Sequence, residues 1–245
     1  MKIIFLEETD STNNHAEKLI ESGAVNEPLC IITNNQISGK GQGKNVWLSE
    51  PGKNLTFSIV CFPDFLPATQ QFYLNKAVAL SALDLLRKML PMQSISIKWP
   101  NDIFIENKKA AGILIKLCVQ ENLIKYAIIG IGMNVNQQQF PSELSSAVSL
   151  INYLNRETNL KEALEKFLTL FDVRYSQLRQ GKKAPVDNDY RNALYKLGRT
   201  NLFEYDGKQV HAKLKGVNEY GWIQLETADG ELIEGDMNRV KMILG

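Results

Sequence analysis

The sequence predicts an α+β fold in which a mixed, largely antiparallel sheet carries helices on one face and is followed by a small β-barrel. Three observations support this class. Short apolar runs with two-residue alternation recur through the first half of the chain. An apolar stripe at helical spacing indicates one long helix over residues 69–90. After Gly198 the pattern changes to five short strands separated by turn signals, which is typical of a small barrel.

The remaining elements follow from local signals along the chain. A strand at 2–6 leads into a helix that Ser11 or Thr12 can cap and Gly23 can end. Pro91 ends the long helix. Further strands are predicted at 29–33, 55–61, 94–98, 103–105, 110–119 and 123–132. Further helices are predicted at 160–178 and, after a polar linker at 181–187, at 189–196.

Length and charge limit the classes of function. A chain of 245 residues can bury one sizeable core and add a small second domain, so we expect domains at 1–196 and 197–245. A formal net charge of +1 gives no general attraction to nucleic acid or to an anionic membrane. The chain shows no signal pattern and no apolar run of membrane-spanning length. We expect a cytoplasmic protein with neither a nucleic-acid nor a membrane partner.

Cysteine and histidine are scarce. Cys30, Cys61 and Cys118 lie in apolar, strand-like runs without CxxC spacing. We expect buried thiols in a reducing compartment rather than a disulfide framework or a zinc site. His15 and His211 are the only histidines, which argues against a histidine-based triad or metal cluster.

The pentapeptide Lys-Trp-Pro-Asn-Asp at 98–102 is the most informative segment. Isoleucines alternate before it and an apolar tripeptide follows it, so a strand stops at a proline and then resumes. A cation, an indole, an amide and a carboxylate at a strand end favour a site for a charged ligand. An Asx turn with a solvated lysine and a core tryptophan explains the pentapeptide equally well.

A glycine-rich basic loop occupies residues 39–47. Gly39, Gly41 and Gly43 let the backbone approach a ligand closely and turn N–H groups toward an anion. The glycine spacing is too short for a Walker A loop, and no helix opens behind it as a dinucleotide fingerprint requires. Taken alone, the loop is also compatible with a plain surface turn.

Three further motifs complete a set: Asp-Ser-Thr-Asn at 10–13, Lys-Ala-Ala-Gly-Ile-Leu at 109–114, and Gly-Ile-Gly-Met-Asn-Val-Asn at 130–136. In this order and spacing the five motifs resemble those of biotin–protein ligases over essentially the whole chain. That family shows a Ser-Thr-Asn turn, a Gly-Arg-Gly-Arg-type loop, Lys-Trp-Pro-Asn-Asp, Lys-x-x-Gly-Ile-Leu and Gly-x-Gly-x-Asn.

The resemblance implies a catalytic fold like that of class II synthetases and lipoate ligases, followed by an SH3-like C-terminal domain. It implies the form of the ligase without the N-terminal DNA-binding domain of the repressor-type members. The expected enzyme is a biotin–[acetyl-CoA-carboxylase] ligase with ATP and biotin as substrates and Mg²⁺ as a cofactor. It would form biotinyl-AMP and transfer biotin to a lysine of the biotin carboxyl carrier domain of a carboxylase. A homodimer is also compatible with the resemblance.

The resemblance also assigns roles to individual residues. Lys109, Lys40 and Asp102 are expected to be catalytic, and Asp102 is expected to hold Mg²⁺ or orient the incoming amine. The residues expected to bind the nucleotide are Lys40, Gln42, Lys98, Asn101 and Asn134. The residues expected to bind biotin are Ser11, Thr12, Asn13, Gln36, Gly39, Gly41, Trp47, Lys109, Gly112, Leu114, Gly130 and Gly132. Their ordinary alternatives are helix capping, turn formation, a solvated lysine and core packing.

Several positions depart from the family's pattern. Lys40 and Gln42 replace arginines of the loop, Lys44 replaces a glycine, and Lys116 replaces an acid. Because glutamine lacks arginine's charge and fork of donors, we expect Gln42 to hold an adenylate less firmly. In the C-terminal segment, Arg239 or Lys241 either contacts the phosphates of the nucleotide or belongs to an ordinary solvated edge of the barrel.

Two rival functions remain open. A lipoate or octanoyl-protein ligase would share the fold, although the 98–102 pentapeptide together with the Gly-Lys-Gly-Gln loop favours biotin. A non-catalytic biotin-sensing protein would share the binding residues, although the near-neutral charge argues against direct DNA binding.

Overall fold

The computed structural model describes residues 1–43 and 45–244, and it confirms the predicted α+β class. The helices are α1 (Thr12–Glu21), α2 (Phe72–Met89), α3 (Ile151–Leu154), α4 (Leu160–Arg179) and α5 (Lys183–Asn192). The strands of the first sheet are β1 (Lys2–Thr9), β2 (Leu29–Gln36), β3 (Leu55–Cys61), β4 (Ile95–Lys98), β5 (Asp102–Ile105), β6 (Lys108–Gln120) and β7 (Leu123–Met133).

The first sheet has the strand order β1-β2-β3-β7-β6-β5-β4. Strands β1 and β2 are parallel and are connected through α1, whereas the other neighbours pair antiparallel. The sheet is therefore mixed and largely antiparallel, as predicted.

The two long helices cover one face of this sheet. Residues Leu55, Phe57 and Ile59 of β3 point to that face, and the ring of Phe57 meets the ring of Phe167 from α4 edge-on at 5.2 Å between centroids. This side holds the main hydrophobic core, because large apolar side chains from sheet and helices exclude water there.

The short helix α1 lies on the opposite face, which refines the expectation of helices on one face. It packs its Ala16 with Ile31, Val60 and Ile128 in a small separate cluster. Because α1 covers only one end of that face, the other end is left for polar groups and glycines.

The last helix begins earlier than the sequence pattern indicates. Helix α5 starts at Lys183, inside the predicted linker, and ends at Asn192 rather than at residue 196. Pro185 lies in the first turn, where a helix tolerates proline because no intrahelical hydrogen bond is lost. Val186 and Tyr190 are both buried at a spacing of one turn, and their packing stabilises the segment.

A second sheet of five antiparallel strands follows, as expected for a small SH3-like domain. Its order is β11-β10-β9-β8-β12. Its strands are β8 (Thr200–Tyr205), β9 (Lys208–Val217), β10 (Ile223–Thr227), β11 (Leu232–Gly235) and β12 (Val240–Met242). A domain boundary between residues 196 and 197 stays a prediction. Among the described residues, no helix is both long and apolar enough to cross a membrane.

A buried lysine joins α2 to α5 and to the second sheet. The side chain of Lys76 is 2% exposed, and its Nζ lies 2.6 Å from Asp187 Oδ1 and 4.7 Å from the centre of the Tyr73 ring. It also donates a hydrogen bond to the carbonyl oxygen of Asn218 at 3.4 Å. Burial and the neighbouring carboxylate of Asp187 raise the pKa of Tyr73, whose hydroxyl donates to that carboxylate at 2.8 Å.

The substitution Asp187→Ala should lower the free energy of unfolding by about 2 kcal/mol, because it leaves the buried ammonium of Lys76 without a counter-charge. Urea denaturation measures this change. The double variant Lys76→Met/Asp187→Ala should be more stable than Asp187→Ala alone, since it also removes the stranded charge. Equal stability of wild type and Asp187→Ala would contradict a structural role for the pair.

Candidate active site

One row of residues runs across five strands on the sheet face that α1 leaves open. Directly paired residues of antiparallel strands point to the same face. Thr56 pairs with Gly132, Gly132 with Gly112, Gly112 with Asp102, and Asp102 with Lys98. The sheet register therefore places a hydroxyl, two bare glycines, a carboxylate and an ammonium side by side.

A second row lies beside the first and is formed by Ser58, Gly130 and Leu114. A Cβ at Gly130 would overlap the carboxamide of Asn13, and a Cβ at Gly132 would overlap the indole of Trp47. A Cβ at Gly112 would lie 3.2 Å from that indole and 3.3 Å from Cε of Lys109. Glycine is required at Gly130 and Gly132 because other groups rest directly on the strand backbone.

The glycine-rich loop folds into a short hairpin over these rows. The backbone N–H of Trp47 donates to the carbonyl oxygen of Gly39 at 3.0 Å, and Lys40 pairs with Val46. A Cβ at Gly39 would overlap the carbonyl oxygen of Trp47, so the close approach of the two chain segments needs glycine there. The hairpin lays the indole of Trp47 on the glycine rows. Lys44 lies outside the described residues.

The N-terminus of α1 supplies the polar end of the site. Ser11 occupies the N-cap position, but its side chain makes no capping hydrogen bond. The backbone N–H of Thr12 instead donates to Gln36 Oε1 at 2.9 Å. The hydroxyl of Ser58 donates to Asn13 Oδ1 at 2.6 Å and lies 2.7 Å from Thr12 Oγ1. Because the hydroxyl of Ser11 makes no capping hydrogen bond and lines the cavity, it can contact a ligand.

Asp102 lies between two lysines. Its Oδ1 is 2.7 Å from Lys109 Nζ, and its Oδ2 is 4.0 Å from Lys98 Nζ. A β-bulge in β6 opposite Ile103 and Phe104 shifts the register, and the side chain of Lys109 reaches the face of Asp102. The arrangement keeps two cations close together, with one carboxylate to reduce their repulsion.

The environment of Lys98 disfavours its charge. Its side chain is 17% exposed. Burial lowers the pKa of Lys98 below the usual lysine range; the carboxylate of Asp102 opposes this shift, and the charge of Lys109 adds to it. An anionic ligand next to Lys98 would restore the balance of charge at this end of the site.

A cavity of about 460 Å³ lies above the glycine rows, within the usual range for a small-molecule site. Among the residues that the structure describes, its charged lining residues are Lys40, Lys98, Lys109 and Lys241, with Asp102 as the counter-charge. Four ammonium groups and one carboxylate make the cavity electropositive, which suits a ligand with several negative charges.

Most of the residues expected to act in catalysis or binding meet at this cavity. Those that line it are Ser11, Thr12, Asn13, Gln36, Lys40, Gly41, Gln42, Trp47, Lys98, Asn101, Asp102, Lys109, Gly112, Leu114, Gly130 and Gly132. Two expected residues lie outside the lining. Gly39 is buried behind Trp47 and Gln36, and Asn134 is buried with its N–H donating to Ala110. The individual roles of all these residues stay predictions.

The departures from the family's pattern have local partners. Lys116 forms an ion pair of 2.8 Å with Glu17 on α1, and Gln42 contacts the sulfur of Met237 in the turn between β11 and β12. Arg239, in the turn before β12, forms an ion pair with Asp206, in the turn after β8, which fits the solvated-edge alternative for Arg239. Lys241 lines the cavity and lies 3.8 Å from Glu204.

Sequence reasoning missed several residues at the site. Thr56 and Ser58 alternate with apolar residues in β3, and this alternation of hydroxyl and apolar side chains could have identified them. Met237 and Asn238 also line the cavity, but their turn is distant in the sequence and carries no motif. Only the folded chain brings that turn to the cavity.

The site fits a protein-held Mg²⁺ poorly. Both oxygens of Asp102 face lysines, and within residues 1–43 and 45–244 no cluster of three potential metal ligands occurs. A divalent magnesium ion usually takes one or two carboxylates together with substrate phosphates. The geometry therefore does not favour the expectation that Asp102 holds Mg²⁺.

Relatives of the chain agree with this geometry. Residues 5–134 match the family model described as the biotin/lipoate A/B protein ligase family. The bifunctional ligase/repressor BirA of Bacillus subtilis is 30% identical over 232 residues, which span 93% of this chain and 70% of that protein. The biotin–[acetyl-CoA-carboxylase] ligase of Paracoccus denitrificans is 24% identical, with 93% of this chain and 95% of that protein covered.

A solved structure is similar over the full length. The biotin protein ligase from Aquifex aeolicus, in complex with biotin and ATP, superposes with a TM-score of 0.83 at 25% sequence identity. The alignment covers 100% of this chain and 99% of that chain. Fold, site and sequence therefore agree: the chain belongs to the biotin/lipoate A/B protein ligase family.

Proposed function

We propose that this protein is a biotin–protein ligase. It activates biotin with ATP as biotinyl-AMP and transfers the biotinyl group to a lysine of the biotin carboxyl carrier domain of a carboxylase. The observation that carries the proposal is the convergence of Lys40, Lys98 and Lys109 on one cavity above two rows that contain bare glycines. The ligases among its relatives support the choice of biotin.

The first step must bring two anions together. A carboxylate oxygen of biotin attacks the α-phosphorus of ATP, a new O–P bond forms, and the bond to the β-phosphate oxygen breaks to release pyrophosphate. The nucleophile is already ionised, so the step requires charge stabilisation and positioning rather than a strong base. Lys109 can neutralise the carboxylate and the phosphate at once, while Lys40 approaches from the hairpin.

The second step transfers the activated acyl group. The neutral amine of the acceptor lysine attacks the carbonyl carbon of the anhydride, a C–N bond forms, the C–O bond to AMP breaks, and the amine nitrogen loses a proton to water. Asp102 can orient this amine, because its carboxylate already lies 2.7 Å from one ammonium group, that of Lys109. The hairpin with Trp47 lies above the glycine rows and can shield the anhydride from water.

The polar end of the cavity supports biotin over lipoate. The ureido ring of biotin requires both hydrogen-bond donors and acceptors. Ser11, Thr12 and Gln36 offer both at the N-terminus of α1. Incubation with ATP and isotope-labelled biotin or lipoate distinguishes the two: the proposal predicts biotinyl-AMP, and formation of lipoyl-AMP alone would favour the rival.

The substitution Lys109→Ala should reduce biotinylation of a carrier domain at least about a hundredfold, because it removes the cation closest to both reacting anions. Mass spectrometry of the carrier domain after incubation with protein, ATP, Mg²⁺ and biotin measures the product. The matched control is Lys108→Ala, which changes an exposed neighbour and should leave turnover unchanged.

Circular dichroism should show an intact fold for Lys109→Ala. Wild-type turnover by that variant would remove Lys109 from the proposed mechanism. No modification by wild-type protein, together with tight binding of biotin, would instead favour the biotin sensor.

The substitution Gln42→Arg should slow the release of biotinyl-AMP about tenfold, because an arginine in the hairpin adds a charged fork near the phosphate. Rapid dilution of the preformed complex, followed by detection of the free intermediate, measures the release rate. Gln42→Ala serves as the control, since it removes the amide without adding charge. Equal release rates for Gln42→Arg and wild type would contradict this role.

A further inference from the structure

The tip of the hairpin between β4 and β5 is held at two points. The backbone of Lys98 pairs with that of Asp102, and the three residues between them form the tip. On one side, Asn101 Nδ2 donates to the carbonyl oxygen of Ile113 at 2.7 Å, and the N–H of Ile113 donates back to the carbonyl oxygen of Asn101 at 2.9 Å. This anchor ties the tip to β6 within the first sheet.

The second anchor crosses to the C-terminal sheet. The indole Nε1–H of Trp99 donates to the carbonyl oxygen of Gly221 at 2.9 Å, and Trp99 is only 5% exposed. A buried indole N–H requires an acceptor, and here the acceptor comes from the turn between β9 and β10 rather than from the first sheet. The geometry gives its N–H a specific partner 122 positions away in the chain.

The turn that carries Gly221 is itself well fixed. Asn218 Oδ1 accepts hydrogen bonds from the backbone N–H groups of Tyr220 at 3.0 Å and Trp222 at 2.9 Å. A Cβ at Gly221 would overlap the ring of Phe72 on α2, and the carbonyl oxygen of Asn218 accepts from Lys76 on the same helix. Turn 218–222 is therefore a firm support rather than a mobile loop end.

We propose that Trp99 is a positioning residue through which turn 218–222 of the C-terminal sheet fixes the placement of Lys98 and Asp102 in the cavity. The inference rests on the proposed ligase function and deepens it. Trp99 also lines the cavity, but its indole N–H is engaged by Gly221 and is therefore not available to a substrate. Its hydrogen bond to Gly221 prevents the tip from tilting, so the two charged groups that flank the tip stay in place for the reacting anions.

The hairpin between β4 and β5 and the residues expected to bind biotin at the N-terminus of α1 lie toward opposite edges of the first sheet. Lys98 and Asp102 lie at the hairpin, whereas Ser11, Thr12 and Gln36 belong to the far end of the cavity. Loosening the hairpin should therefore impair the chemical step and leave biotin binding unaffected. General unfolding would instead impair the chemical step and weaken biotin binding together.

The test uses Trp99→Phe, which keeps an aromatic ring and removes the indole N–H. In a biotin-dependent pyrophosphate-exchange assay, kcat should fall about tenfold, which corresponds to the loss of one oriented hydrogen bond. The dissociation constant for biotin, measured by calorimetry, should stay within a factor of two. The matched control is Trp222→Phe in turn 218–222. The indole of Trp222 is exposed, so its loss should leave kcat unchanged.

A second variant approaches the same bond from the other side. Gly221→Ala displaces the acceptor carbonyl, because its Cβ would press on Phe72. The double variant with Trp99→Phe should be no slower than the slower single variant, since both changes break one interaction. Unchanged kcat in folded Trp99→Phe, or full additivity of the two effects, would overturn the proposal. Absence of exchange by wild-type protein would instead refute the ligase function itself.

Discussion

The register of the first sheet is the constraint on which the site depends. Pairing across β3, β7, β6, β5 and β4 brings Thr56, Gly132, Gly112, Asp102 and Lys98 into one row. A slip of one residue in any strand would turn its site residues into the core. The apolar residues that alternate with this row pack against α2 and α4, so the hydrophobic core itself enforces the register.

Several features of the site lower the stability of the fold. Glycines inside strands weaken them, because they lose more backbone freedom on folding and offer no side chain to pack. Two lysines beside one carboxylate leave excess positive charge, and burial lowers the pKa of Lys98. Such local conflicts with stability are expected where a protein binds a ligand that restores the balance.

Much of the fold was accessible from the sequence because periodicity reports which side of an element is buried. The strand at 55–61 and the long helix ending near Pro91 followed from that pattern. The start of α5 did not, because the Gly-Lys-Lys segment at its start and the proline in its first turn are typical of a linker, and its packing depends on the distant Lys76. The motifs indicated residues that meet at one cavity, but not the contributions of Ser58 or Met237, which only tertiary contacts reveal.

The central claim is that one electropositive cavity holds the carboxylate of biotin and the phosphates of ATP together above the glycine rows. A structure solved with biotin and a non-hydrolysable ATP analogue tests it most directly. The account predicts that the carboxylate and an α-phosphate oxygen both lie within hydrogen-bonding distance of Lys109, over Gly112 and Gly132. Binding of either ligand outside this cavity, or with Lys109 turned away from both, would contradict the account.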